Sequence, residues 1–330
     1  MKDLNISVVI PNYNGVHLFP YTLPALFDAL TESGNLFEVI IVDDCSTDNS
    51  VEFLQGNFPQ VRLLINSSNS GFSKTINTGI FAAKNDLVLL LNSDVKLTSN
   101  YFADQLKYFL SDDTFGVMGK IIGWDDEIVQ DGAKYPRFEG FKLKTSFNYL
   151  IKDEHKPLQY SMYLSGANAL VDRQKLLQLA GFDEIFTPFY MEDVDLSVRA
   201  WRVGWKCYFE PLSICRHRVS TSIATKEKKQ FIKTVYNRNK MYFHAIHLDG
   251  LSLLGWYLQT IFELVFRTIL CQFYFLKAFI VFLKNGKRVK DSKSKLGNLT
   301  KQIGGDISLH ALSREIQGSV LNQNITFFKR

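Results

Sequence analysis

The run Leu87-Val88-Leu89-Leu90-Leu91-Asn92-Ser93-Asp94 decides the fold: five apolar residues in succession, then three polar ones. Five residues is strand length, and unbroken apolarity in place of alternation marks a strand covered on both faces. Three earlier runs share the form, Ile6 to Ile10, Phe37 to Val42 and Val61 to Ile65. Helix-like amphipathic segments separate them, around Leu18 to Leu30, Asn49 to Gln55 and Lys74 to Ala83. This alternation predicts an α/β fold of the doubly wound kind, a mostly parallel central sheet with flanking helices.

In such sheets a ligand lies outside the carboxyl ends of the strands. The residues that follow each run are therefore the ones to examine: Pro11-Asn12-Tyr13-Asn14, Asp43-Asp44, Asn66 to Gly71, and Asn92-Ser93-Asp94. Turns are rich in Asn, Asp, Ser and Gly for purely local reasons, so any one of these loops also reads as an ordinary turn. Four in succession, two of them acidic, point to a polar ligand.

The chain has 330 residues, 46% hydrophobic and 22% charged, enough to bury a full core and unlike a disordered chain. A formal charge of +5 favours phosphates or anionic lipid as partners, and no feature suggests nucleic acid. Cys45, Cys207, Cys215 and Cys271 form no CxxC pair, which predicts reduced thiols and neither a zinc knuckle nor a disulfide framework. The opening Met1-Lys2-Asp3 runs into an apolar stretch too short for a signal peptide, so a cytoplasmic location is expected.

Beyond the fourth run, Ser99 is a candidate N-cap for a helix through Leu110, and Gly116 to Ile122 reads as a strand. Residues 124–160 lack periodicity and read either as a substrate-binding insertion or as a long connection. Regularity returns at Met162 to Val171, in helices from Arg173 to Leu179 and Glu192 to Val203, and in a strand at Cys207 to Phe209. From Leu251 to Leu283 the chain is apolar and aromatic, but Gln259, Glu263, Arg267, Gln272 and Lys277 interrupt it too often for a helix that spans hydrocarbon. Lys284, Lys287, Arg288, Lys290, Lys293 and Lys295 follow at once. Two readings fit: an amphipathic helical and basic region that binds an anionic membrane surface, or a core helical hairpin with a solvated tail. The expected division is a domain over 1–245, with a nucleotide half (1–98) and an acceptor and catalytic half (99–245), and a C-terminal region over 246–330.

Six blocks stand in order: VVIPNYNG from Val8, VDDCSTDNS from Val42, NSGFSKTINTGI from Asn69, LLLNSDV from Leu89, SGANALVDR from Ser165 and GFDEIFTPFYMEDVDLSVRAWRVGW from Gly181. Through them the chain resembles the family 2 glycosyltransferases over roughly residues 5 to 245. Asn92-Ser93-Asp94 in place of DxD, with the region of His217, is most similar to the rhamnosyltransferase-like subgroup. The resemblance implies a GT-A fold and inverting transfer of one sugar from a UDP- or dTDP-linked donor to a saccharide or polyprenyl-linked acceptor in cell-surface polysaccharide synthesis. It would place the chain on the inner face of the cell membrane. The QxxRW pattern of processive synthases is missing.

The residues carry a matching chemistry. Pro11, Asn12 and Tyr13 can frame a nucleobase, Asp44 can accept the N3 hydrogen of uracil or thymine, and Gly71 permits close backbone approach with Asn77 in support. Asn92, Ser93 and Asp94 complete the donor set. Asp94 is a hard oxygen ligand suited to Mg²⁺ or Mn²⁺ bridging a diphosphate; Asn92 is neutral and weakens direct metal binding. His217 matches a position that completes the metal site in relatives, although Arg216 and Arg218 beside it could bind phosphate instead. Glu192-Asp193 resembles the family's ED motif, whose aspartate is the general base; the same acids, with Asp195, also complement a helix N-terminus. Gly166 and Ala167 are expected on the acceptor side, unless Gly166 is a packing glycine. Two rivals are weaker. A dinucleotide binder would need GxGxxG after the first strand, where Pro11-Asn12-Tyr13-Asn14 stands, and a non-catalytic membrane-docked partner would not need Asp44, Asp94 and Asp193 together.

Overall fold

The computed structural model describes residues 4–152, 158–218 and 226–329. The opening Met1-Lys2-Asp3 lies outside them. Four apolar runs form strands as expected: β1 (Ile6–Asn12), β2 (Phe37–Asp43), β3 (Arg62–Ile65) and β4 (Leu87–Leu91), the last buried throughout. Helices α1 (Phe19–Ser33), α2 (Ser50–Asn57) and α3 (Phe72–Ala82) connect them. β4, β1, β2 and β3 pair in parallel in that order, so their polar carboxyl ends share one edge.

A three-residue strand β5 (Val95–Leu97) follows. The helix expected from Ser99 is absent; residues 99–105 turn, and only Leu106–Leu110 coil, as a 3₁₀ helix. Tertiary bonds override the local preference here. Thr98 bonds the Ile214 carbonyl through both its amide and its hydroxyl, and the Tyr101 hydroxyl donates to Asn168 O at 2.8 Å. β6 (Thr114–Gly123) then crosses the sheet.

The aperiodic stretch resolves into strands of two to five residues: β7 (Val129–Asp131), β8 (Ala133–Lys134), β9 (Arg137–Glu139), β10 (Lys142–Lys144), β11 (Phe147–Ile151) and β12 (Gln159–Tyr160). Next come β13 (Asn168–Asp172), helices α4 (Arg173–Gln178) and α5 (Glu192–Arg202), and β14 (Lys206–His217). β14 far outruns the expected Cys207 to Phe209. Its register shifts between Glu210 and Ile214, around Pro211, and the strand resumes beyond.

The main sheet runs β12-β14-β6-β13-β4-β1-β2-β3. It is mixed, which corrects the expectation of a mostly parallel one: β13 is antiparallel to both β4 and β6. The cause is where the chain enters. Ala167 O accepts the Asn92 amide at 3.1 Å, at the carboxyl end of β4, so a strand starting there must run back down the sheet.

One apolar core packs α1 and α2 against one face of the sheet, through Phe19, Leu23 and Leu54. The opposite core joins α3 and α5 to the C-terminal helices α6 (Lys226–His247), α7 (Gly250–Ile269), α8 (Phe273–Lys284), α9 (Gly286–Ile303) and α10 (Leu309–Ser319). The boundary at 245/246 is therefore not a structural one. α6 crosses it, Arg202 of α5 pairs with Asp306, Lys206 pairs with Glu315, and the final strand β15 (Ile325–Lys329) pairs antiparallel with β11. All four cysteines are free thiols. No helix among the described residues is long and apolar enough to cross a membrane.

Candidate active site

Four chain segments converge at the carboxyl edge of the sheet: the Asn92–Asp94 turn after β4, the Ser165–Ala167 turn before β13, the Phe189–Asp193 turn into α5, and the end of β14. A cavity of about 250 Å³ is lined there by Phe72, Asn92, Gly166, Ala167, Asp193 and His217, among others. A second cavity of about 220 Å³ lies on the other side of the carboxylate pair, where Asp131, Lys134, Asn148, Tyr163 and Tyr236 join Glu192 and Asp193.

The first turn of α5 holds three carboxyls whose surroundings drive them apart. Burial opposes the ionisation of Asp195, but Arg199 at 2.7 Å and His247 at 2.8 Å hold it below its ordinary range. Burial pushes Glu192 up to about 8, and the neighbouring charge of Asp193 adds to it. Asp193 is also raised by burial, against the opposing pull of the Val194 amide, which donates to it at 2.8 Å, and of the Lys134 charge. Those two contacts favour the anion on Asp193 and do not reach Glu192, so the two carboxyls titrate as a pair whose members differ in surroundings. Asp195 is structural, and Asp193 is a raised carboxyl in a half-closed cleft.

The turn that delivers the pair is strained. Tyr190 and Met191 both have φ of 74°, in the left-handed region that ordinary residues avoid. Asn239 of α6, fully buried, braces it by directing its amide nitrogen at the carbonyls of Phe186, Phe189 and Tyr190 at 2.6 to 2.9 Å. Asn239→Ala is expected to cost about 1–3 kcal/mol by leaving buried carbonyls unpaired, read as a lower urea midpoint at unchanged m; an unchanged midpoint would show the turn holds itself.

A raised carboxyl pKa destabilises the fold as pH rises. The folded chain keeps a proton on Glu192 that the unfolded chain releases near the ordinary value of 4.5, so stability declines between about 4.5 and about 8. Glu192→Gln, uncharged at every pH, should show a smaller decline between pH 5 and 8 in urea titrations; an equal decline would place the proton elsewhere.

Asp94 and His217 are brought together. His217 Nε2 lies 3.3 Å from Asp94 Oδ2, and Nδ1 lies 3.0 Å from Gln130 Oε1. An amide oxygen only accepts, so Nδ1 carries a hydrogen and Nε2 is the ring nitrogen turned to Asp94. Asp94 Oδ1 is buried with no hydrogen-bond partner. An orphaned carboxylate oxygen beside an oriented imidazole nitrogen fits a divalent cation. Among the described residues no group of three or more His, Cys, Asp or Glu could hold a metal, so a cation here would take Asp94 and His217 from the protein and the rest of its ligands from elsewhere. Arg216 is turned away, to Glu127 and to the carbonyls of Gly123 and Asp126.

The donor residues divide. Tyr13 is 53% exposed, open for a ring to stack on, with Pro11 half-buried beside it. Asn12 is buried and braces Asp43 and Ser46 through its amide nitrogen at 2.8 and 3.2 Å; Ser93 lies against Gly15 close by. Asp44 organises the 66–71 loop: Oδ1 accepts from Asn66 Nδ2 and Ser70 N, and Oδ2 from Gly71 N at 2.9 Å. One lone pair of Oδ2 is left for a base. Gly71 has φ of 80° and packs against Thr187 and Pro188, which links this loop to the turn before Asp193. Asn77 does not join the donor residues. It clamps Phe182, accepting from its amide at 2.8 Å and donating to its carbonyl at 2.9 Å. The reason is geometric: a full turn beyond the N-terminus of α3, it faces the Gly181 turn. Gly166 is close to Asp193, whose Cβ lies 3.8 Å from where a Gly166 Cβ would be.

Sequence reasoning missed Gln130, Asp131, Lys134, Asn148 and Asn239. Asp131 and Lys134 form a buried ion pair, and Lys134 also bonds Asn148 at 2.9 Å. The available signal was an acid and a base three apart with only Gly132 and Ala133 between them, because charges are seldom buried unless paired.

The sheet edge, the carboxylate pair and the Asp94–His217 couple define an α/β protein with a site for a polar, phosphate-bearing ligand. Residues 7–178 match the profile of a family described as Glycosyl transferase family 2. The chain belongs to that family. It is 31% identical over 147 residues to chondroitin synthase of Pasteurella multocida, covering 43% of this chain but 15% of that protein. It is 26% identical over 207 residues to the N-acetylglucosaminyl-diphospho-decaprenol L-rhamnosyltransferase of Mycobacterium tuberculosis, covering 56% of this chain and 67% of that one. Among solved structures, GalNAc-T7 with UDP, GalNAc and Mn²⁺ superposes with a TM-score of 0.65 at 16% identity, over 97% of this chain and 57% of that chain. That likeness establishes a GT-A-like fold.

Proposed function

We propose that this chain is an inverting glycosyltransferase that moves one sugar from a UDP- or dTDP-linked donor to a saccharide or lipid-linked saccharide acceptor, in cell-surface polysaccharide synthesis on the inner face of the membrane. The observation that carries the reading is the position of Asp193, raised by burial, on the lining of two adjoining cavities. A single displacement needs a base within reach of the acceptor oxygen while that oxygen faces the anomeric carbon, and a carboxyl bordering both cavities meets that need. Family membership and the relatives named above support the class of reaction.

On this reading Asp193 accepts the proton of an acceptor hydroxyl held in the cavity of Lys134, Asn148 and Tyr163. The acceptor oxygen attacks the anomeric carbon as the bond from that carbon to the diphosphate oxygen breaks, and the configuration inverts. The proton stays on Asp193 until product leaves. A cation held by Asp94 and His217 would offset the charge developing on the leaving diphosphate. Protonated Glu192 keeps a second negative charge away from the base. Gly166 and Ala167, expected on the acceptor side, line the cavity of Asn92 and His217 beside Asp193, where acceptor and transferred sugar would meet, and Tyr13 with Asp44 receives the base.

Because the carboxyl of Asp193 is raised, the acid limb of kcat/KM should lie above the ordinary aspartate value of about 3.9. The direct test is nucleoside diphosphate release from a panel of UDP- and dTDP-sugars with Mn²⁺, with and without saccharide acceptors. Release from no donor under any condition would remove the enzyme reading.

A further inference from the structure

Helix α7 turns Trp256 and its polar residues to the protein and an apolar stripe outward. Every exposed position from Leu251 to Phe273 is apolar or a cysteine, with Leu251, Leu258, Phe262 and Ile269 each more than 60% exposed. The spacing of three and four residues keeps them on one stripe. The polar residues that interrupt α7 itself, Gln259, Glu263 and Arg267, face inward. Gln259 accepts from the Phe141 amide at 2.7 Å, and Glu263 pairs with Lys142 and Arg267. They fasten α7 to the β9–β10 hairpin.

We infer that this outward stripe of α7 is the face by which the chain lies on an anionic lipid bilayer. The inference deepens the membrane location within the proposed function by naming the surface and the lipid chemistry. Charge selects the occupant. Residues 250–303 hold nine Lys or Arg and two acids, a net +7, in a chain of net +5; the rest of the molecule is −2. The exposed stripe of α8 continues the pattern, with Lys277 and Lys284 among Phe273, Ile280 and Leu283. Basic groups beside a buried apolar stripe suit anionic headgroups over hydrocarbon, and such a helix lies in the interface about 5–10 Å deep. A second copy on this face would bring two +7 segments together. Because Gln259, Glu263 and Arg267 bond the protein on its other side and no described helix is long and apolar enough to cross, α7 lies along the surface.

The test is flotation of the full chain with phosphatidylcholine vesicles, with and without phosphatidylglycerol. Wild type is expected to float with the anionic vesicles and less so at high salt. The double variant Leu258→Glu/Phe262→Glu should lower the bound fraction about tenfold or more, while its thermal shift with UDP, the check on fold and donor site, stays that of wild type. A variant that floats like wild type overturns the assignment of this face even if the membrane location stands. Wild type that floats with neither vesicle overturns both. A wild-type dimer in light scattering that the double substitution splits to monomers would give the face to a second copy. None of these outcomes bears on donor chemistry, which the UDP shift reports separately.

Discussion

Asp193→Asn should lose about 10²- to 10⁴-fold in turnover, the usual contribution of a general base, and keep its affinity for the donor nucleotide. The substitution preserves the size of the side chain and an oxygen to accept from the Val194 amide, now at 2.8 Å, so the strained turn at Tyr190 and Met191 is not disturbed. What it removes is the ability to hold a proton. Loss of kcat with an unchanged UDP-induced thermal shift would separate this role from a merely structural one. Glu192→Gln, which replaces a group protonated near neutrality, should cost much less. If Asp193→Asn turned over within a few-fold of wild type, the base would have to be sought elsewhere. Asp195 is no substitute, because Arg199 and His247 hold its carboxylate in a buried ion-pair network.

The parts readable in the sequence were those written locally. Continuous apolar runs such as Leu87 to Leu91 announce buried strands, and β1 to β4 follow them within a residue or two. Asp94, His217 and Asp193 could be named because each lies at the end or start of a regular element, inside an ordered block. What was hidden is written in long-range contacts. β13 runs antiparallel because of where Ala167 is delivered, which no periodicity reveals. The 124–160 stretch looked formless because its strands are only two to five residues long, too short to show an alternation. Yet it contributes Gln130, which orients His217, and Lys134, whose charge favours the anion of Asp193. Asn77 was misplaced for a related reason: its position on α3 is local information, but the Phe182 backbone it serves is 105 residues away. The polar interruptions of α7 were legible as residues and not as a direction. Only the fold shows that they point inward.

Asp94→Ala should abolish the Mn²⁺-dependent part of stabilisation by UDP or dTDP. Ligand at about 100 times its dissociation constant adds roughly 2.7 kcal/mol, a rise in Tm of about 5 °C for a domain of this size. Asp94 and His217 are the two side chains proposed to hold the cation, and Oδ1 of Asp94 is buried without a hydrogen-bond partner. Removing it deletes half of the protein's share of the ligands without touching Asp44 or Tyr13, so a smaller, metal-independent shift should survive. His217→Ala should act in the same direction. Gln130→Leu should act more weakly, because it frees the ring without removing it. That graded order distinguishes a metal site from a simple anion pocket, in which Asp94→Ala would remove a negative charge and tighten nucleotide binding. A tighter nucleotide shift in the alanine variant would therefore end the metal assignment and return Asp94 to the structural role of closing the turn between β4 and β5.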